Sequence, residues 1–162
     1  MVPSKEEEEH KNKQITGNAG LFYVAYKLST MGWNVLLTSR NAKGIDIVAY
    51  SEDFKVIKKV QVKSFSEIEA VSFGKNKETL PADFYVMVSY VYPKPEANIT
   101  KPEAYILTAE DVDSLLTQNK AGYWLQIKGS SKEPEKGFKK EEFKEKWDKI
   151  GSGWANSTEE RR

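Results

Sequence analysis

The stretch GIDIVAYSEDFKVIKKVQVKS, Gly44 to Ser64, decides how this chain is read. Two runs rich in β-branched residues flank the turn-like SEDFK, which is the pattern of a hairpin. Three polar side chains interrupt the apolar pattern: Asp46 on the first run, Gln61 and Lys63 on the second. In an antiparallel pair, opposed residues have a constant index sum. If the loop centre falls between Asp53 and Phe54, Val48 faces Lys59, Tyr50 faces Ile57 and Asp46 faces Gln61. Lys63 then shares a face with Gln61, because side chains alternate along a strand. Ile45, Ile47, Val60 and Val62 point the other way. A register shift of one residue would separate the polar groups.

Such a cluster has a chemical use. A carboxylate and a carboxamide oxygen are hard ligands suited to Mg²⁺. A divalent ion polarises a phosphate and lowers the pKa of bound water, and a lysine offsets charge building on phosphorus. A second reading of the same residues stands beside this one: Asp46 caps a turn after Gly44, and Lys63 ends a solvated strand.

Bulk properties bound the alternatives. The 162 residues suffice for one domain with a core. The sequence reading places a disordered acidic tail at 1–13, a single domain at 14–150 and a flexible tail at 151–162. Net charge is +1, so any nucleic-acid surface is a local patch. The chain has no cysteine and one histidine, His10, which removes thiolate sites and nearly removes histidine catalysis. No long apolar run and no signal-peptide pattern are present, which implies a soluble cytoplasmic protein and no membrane partner.

Along the chain, Leu21, Val24, Ala25, Leu28 and Met31 form one helical stripe that stops at Gly32. NVLLTS reads as a strand, as do the two arms of the hairpin, DFYVMVSYVY and AYILT. SFSEIEAVSFGK is ambiguous. Thr108 and Asp111 form an approximate capping box for a second helix. GYWLQIK is a late or edge strand, and KKEEFKEKWDKIG has the spacing of an amphipathic helix. The order indicates an α/β sandwich around a mixed sheet.

The residues from Gly17 to Ser64 resemble the core of the PD-(D/E)XK nuclease superfamily, near Holliday-junction resolvases and Mrr-like nucleases. The shared pattern is a helix, a Gly-x-Asp strand and a strand with (E/Q)-x-K, here Gly44–Asp46 and Gln61–Lys63. The resemblance implies a restriction-endonuclease-like mixed sheet flanked by helices. It implies Asp46, Gln61 and Lys63 as catalytic residues, and Asp46, Gln61 and the Val62 carbonyl as ligands of a weakly bound Mg²⁺ or Mn²⁺. It departs at one position: Leu21 stands where the family's helix carries glutamate. DNA is the implied partner, with Arg40, Lys43, Lys59, Ser64, Lys75 and Lys77 as candidate contacts, and related folds suggest a homodimer. Three functions follow from the resemblance: a metal-dependent DNA endonuclease, whole or degenerate; a nuclease-like module that binds DNA without cutting it; and a protein–protein adaptor in repair, restriction or mobile-element defence.

Overall fold

The computed structural model of the chain describes residues 5–39, 44–75, 80–128 and 137–155. Helix α1 spans Lys5–Thr30. It therefore takes in most of the segment that the sequence reading assigned to a disordered tail. Apolar periodicity reports burial rather than helicity, and Lys and Glu propagate a helix well without it. The run from Lys5 to Thr16 also contains no glycine or proline. Further along, Val24 and Leu28 are fully buried, and Leu21, Ala25 and Met31 pack around the same core.

Five strands form the main sheet: β1 (Asn34–Leu37), β2 (Ile47–Tyr50), β3 (Ile57–Ser64), β5 (Phe84–Ser89) and β6 (Glu103–Thr108). Their order is β1-β2-β3-β5-β6. Only β3 and β5 run parallel; the other neighbours are antiparallel. The connection from β3 to β5 carries the short strand β4 (Val71–Ser72). That strand comes from the ambiguous SFSEIEAVSFGK stretch. It joins β7 (Thr117–Asn119) and β8 (Gly122–Leu125) in a second sheet of order β4-β8-β7. Helix α2 (Ala109–Leu115) follows β6 and has the full capping box between Thr108 and Asp111.

Strand alternation gives the sheet two cores. On one face, Ile47, Ala49, Val60, Phe84, Val86, Val88, Ala104 and Ile106 pack with α1, Trp33, Trp147 and Ile150. On the other, Tyr85, Met87, Tyr105 and Leu107 pack with Val71, Leu125, Ile127 and Phe138. All six residues of β5 are buried, as a central strand covered on both faces requires. The second core covers β5 and β6. Over β1 to β3 the same face leaves Leu36, Ile57 and Lys59 exposed. The hairpin that decided the reading therefore has one packed face and one open face.

The expected C-terminal helix is broken in two. Helix α3 covers only Lys140–Phe143, and a 3-10 turn covers Trp147–Lys149. Between them Lys144 bridges to Tyr105, and Glu145 adopts a φ of 54°. The Glu145 N–H donates to the Ala104 carbonyl at 2.7 Å, and its carboxylate accepts the Ala104 N–H at 2.9 Å. The cause is the β6 edge, whose unpaired backbone groups need partners. The segment crosses that edge. It delivers Phe143 to the second core and Trp147 and Ile150 to the first, so the apolar spacing is satisfied without one continuous helix face.

Residues 151–155, which the sequence reading placed in the C-terminal tail, pack back against α1 and the hairpin turn. Gly153 donates to the Met31 carbonyl at 3.0 Å and accepts the Glu52 N–H at 2.8 Å. Trp154 lies against Gly32, where a Cβ would come within 2.4 Å of the indole and where φ is +88°. Glycine is required there on both counts. The remainder of the expected tail, 156–162, lies outside the described residues.

Candidate active site

Strands β2 and β3 pair in the register that the index sum predicts: Ile47 with Val60, Val48 with Lys59 and Tyr50 with Ile57. The turn is closed by the Ser51 N–H donating to the Val56 carbonyl at 2.9 Å. Within it, the Ser51 hydroxyl and the Lys55 N–H both donate to Asp53 Oδ1. The hydroxyl's hydrogen bond leads the effects holding the Asp53 carboxyl below its ordinary range.

At the open end of the hairpin the ladder departs from the expected one-to-one opposition of Asp46 and Gln61. The Asp46 N–H donates to the Val60 carbonyl at 2.9 Å, although Val60 is already the partner of Ile47. Two residues of β2 thus oppose one of β3, which is the count of a β-bulge. The Asp46 carboxylate takes over where the ladder would have continued: Oδ2 accepts the Val62 N–H at 2.7 Å. In an antiparallel pair a residue's N–H and C=O leave toward the same neighbour. The Val62 carbonyl therefore leaves on the Asp46 side, past the last pair of the ladder. The carboxylate is seated on the backbone of the residue that separates Gln61 from Lys63.

Gln61 and Lys63 sit opposite Tyr85 and Met87 of β5, on the face that holds the second core. Both are half-buried. Neither side chain makes a hydrogen bond or ion pair among the described residues; the Lys63 ammonium lies 5.9 Å from the centroid of the Phe73 ring. That is the outer range of a cation–π contact and leaves the ammonium able to donate elsewhere. Gln61 and Lys63 thus share one face of β3, and the Asp46 carboxylate is fastened to the backbone of Val62 between them.

The helix side of the site is apolar. Gly20 is buried against Ser64 at the end of β3, and a Cβ on Gly20 would sit 2.0 Å from Ser64 Oγ. The Ser64 hydroxyl donates to the Gly17 carbonyl at 3.4 Å. Ser64 thus belongs to the α1 face, and the structure does not bring it together with Gln61 and Lys63. Leu21 packs around the first core. Among the described residues no group of three His, Cys, Asp or Glu side chains is placed to hold a metal ion. By chemical type, a carboxylate oxygen of Asp46, the Gln61 amide oxygen and the Val62 carbonyl would suit a hard cation held loosely.

The candidate DNA contacts fare unevenly. Lys59 is exposed, but its ammonium lies 3.9 Å from Asp83. Lys75 is exposed in a turn. Arg40, Lys43 and Lys77 lie outside the described residues. Lys58 takes the other face, 5.7 Å from the centroid of Phe84, so the lysine run does not form one surface. Sequence reading missed Asp83, which accepts the Lys59 N–H at 2.7 Å and fastens the start of β5 to β3. An acid directly before the apolar run FYVMV was the available signal. It also missed Phe73, whose ring lies near Lys63; nothing local to either residue announces that contact.

No protein-family model matches the sequence, and no curated protein matches it. Among solved structures, the fold is similar to that of a bacterial homing endonuclease, I-Ssp6803I. The TM-score is 0.54 and the identity 17%, over 85% of this chain and 91% of that one. The mixed sheet with its flanking helices is thus an architecture that a known DNA-cleaving enzyme also uses.

Proposed function

We propose that this chain is a metal-dependent DNA endonuclease of the PD-(D/E)XK type with a reduced ligand set. The observation that carries the reading is the bulged end of the β2–β3 hairpin. There a carboxylate rests on the Val62 N–H, with Gln61 and Lys63 on either side of that residue. The similarity to a homing endonuclease supports it at the level of fold. A divalent ion bound by Asp46, Gln61 and the Val62 carbonyl would supply Lewis-acid stabilisation of the phosphate. The chain's own part is narrower. The bulge aims Asp46, the Val62 N–H fixes its rotamer, and Lys63 presents a cation to the developing negative charge. Plasmid nicking in Mg²⁺ or Mn²⁺, compared with Lys63→Ala, tests this. Loss of at least about a hundredfold in rate is expected from removing a charge-stabilising donor. No cleavage by the wild-type chain with any divalent ion rejects the reading.

A second reading has its own support. Leu21 occupies the helix position where the resemblance calls for an acid, and it packs with the first core. A module that binds DNA without cutting it would show a salt-dependent gel shift and no nicking.

A further inference from the structure

The tip of the same hairpin carries an arrangement that chain stability does not explain. Phe54 sits at a φ of 61°, a region that bulky residues rarely adopt and that hairpin turns usually fill with glycine or asparagine. The residue is 73% exposed. It stacks on Tyr50 with centroids 5.3 Å apart and planes 18° apart. Tyr50 is paired with Ile57, which is 63% exposed, and lies on the face that carries Gln61 and Lys63. The tip is thus an aromatic step on the open face, in line with the candidate active site.

Its charge environment points to a polyanion. Between Tyr50 and Ser64 the chain has four lysines and two carboxylates; Lys59 and Lys63 lie on the open face, Lys59 with Asp83 at 3.9 Å, Lys55 lies at the tip, and Lys58 faces the first core. Both carboxylates are engaged: Asp53 by the Ser51 hydroxyl, the Lys55 N–H and the Lys55 ammonium at 3.4 Å, and Glu52 by the Ala155 N–H at 3.1 Å. Aromatic rings beside lysines are the usual platform for unstacked bases, because every base offers a π-face. A flat apolar patch for a second protein would not need the lysines.

We propose that the Phe54–Tyr50 step stacks on an unpaired or looped-out base of bound DNA. The inference rests on the DNA-binding part of the function proposed above. Ile57, the partner of Tyr50, and Lys63 are six residue steps apart on β3, or about 20 Å. At about 3.4 Å per nucleotide, the stacked base lies roughly six nucleotides from the phosphate held at Lys63. The hairpin would then select DNA that is locally open at that distance from the cut.

The test measures binding without divalent ions, so that cleavage does not intrude. Two short duplexes are compared, one fully paired and one with a single looped-out 2-aminopurine. The wild-type chain is expected to bind the looped-out duplex about tenfold more tightly and to quench the 2-aminopurine. Phe54→Gly should abolish that preference and the quenching while leaving affinity for the paired duplex within about twofold. Phe54→Trp should retain both. Thermal unfolding checks the fold, and Phe54→Gly is expected to unfold no lower than wild type because the positive φ is relieved. Equal binding of both duplexes by the wild-type chain overturns this inference and leaves DNA binding intact; binding of neither overturns both. If Phe54→Gly instead turns a dimer into a monomer in sedimentation and leaves duplex preference unchanged, the tip is an interface between copies and the inference fails.

Discussion

Replacing Asp46 separates what its carboxylate does for the fold from what it does for chemistry. Asp46→Ala removes the acceptor of the Val62 N–H, a 2.7 Å bond in a part-buried place. Hydrogen bonds to a charged acceptor contribute about 1.5–3 kcal/mol. Water can reach the half-buried Val62, so the lower part of that range, about 1.5–2 kcal/mol, is expected. Asp46→Asn keeps an oxygen there and loses only the charge assistance, which roughly halves the bond. Its cost is therefore about 1 kcal/mol. For a chain of this size each kcal/mol lowers Tm by about 2–4 °C. Urea or thermal unfolding should rank wild type above Asp46→Asn above Asp46→Ala. Nicking should be lost in both variants, because a neutral amide does not replace a carboxylate at a cation. Equal stabilities for Asn and Ala would refute the structural role assigned to the Val62 bond. Wild-type cleavage by Asp46→Asn would refute the chemical one.

Two further outcomes follow from the packing. Gly20→Ala adds a Cβ 2.6 Å from Ser64 Cβ, an overlap that no rotation of the hydroxyl relieves. Strain of about 1–3 kcal/mol outweighs the gain of about 1 kcal/mol in helix propensity, so the variant should be destabilised in urea, and adding Ser64→Gly should restore it; a more stable single variant contradicts the close approach. Burial acts to raise the Glu103 carboxyl, but hydrogen bonds from Lys144 at 2.7 Å and the Tyr105 hydroxyl at 2.8 Å outweigh it and hold the carboxyl below its ordinary range. Its contribution is complete above the ordinary glutamate value, about 4.3, and is lost as pH falls through the lowered one, so Glu103→Gln should flatten the acid limb of stability against pH, and an unchanged limb would show that the pairing contributes nothing.

Much of this architecture was legible because it rests on local chemistry. The hairpin register followed from the position of SEDFK between two β-branched runs. The stop of α1 followed from Gly32, and the start of α2 from Thr108 and Asp111. What escaped was set by distant partners. The bulge at Asp46 arises where β2 parts from β3, and nothing in GIDIV marks which backbone amide the carboxylate will take. The spacing of Phe143, Trp147 and Ile150 suits one helix face, yet the β6 edge drew the chain across itself and sent the three residues to two cores. Ser64 follows Lys63 by one position, and strand alternation alone could have assigned it to the α1 face. Its place beside Lys63 in sequence suggested a shared role that the pleat forbids.

Gly153 touches two elements at once, the end of α1 through Met31 and the hairpin turn through Glu52. A force applied at the turn is therefore shared with the helix terminus, and the arm bearing Asp46 is braced at the end remote from its carboxylate. Residues 151–155 act as a tie rod: cutting the chain ahead of them would leave every proposed ligand in place and free the lever on which they are mounted.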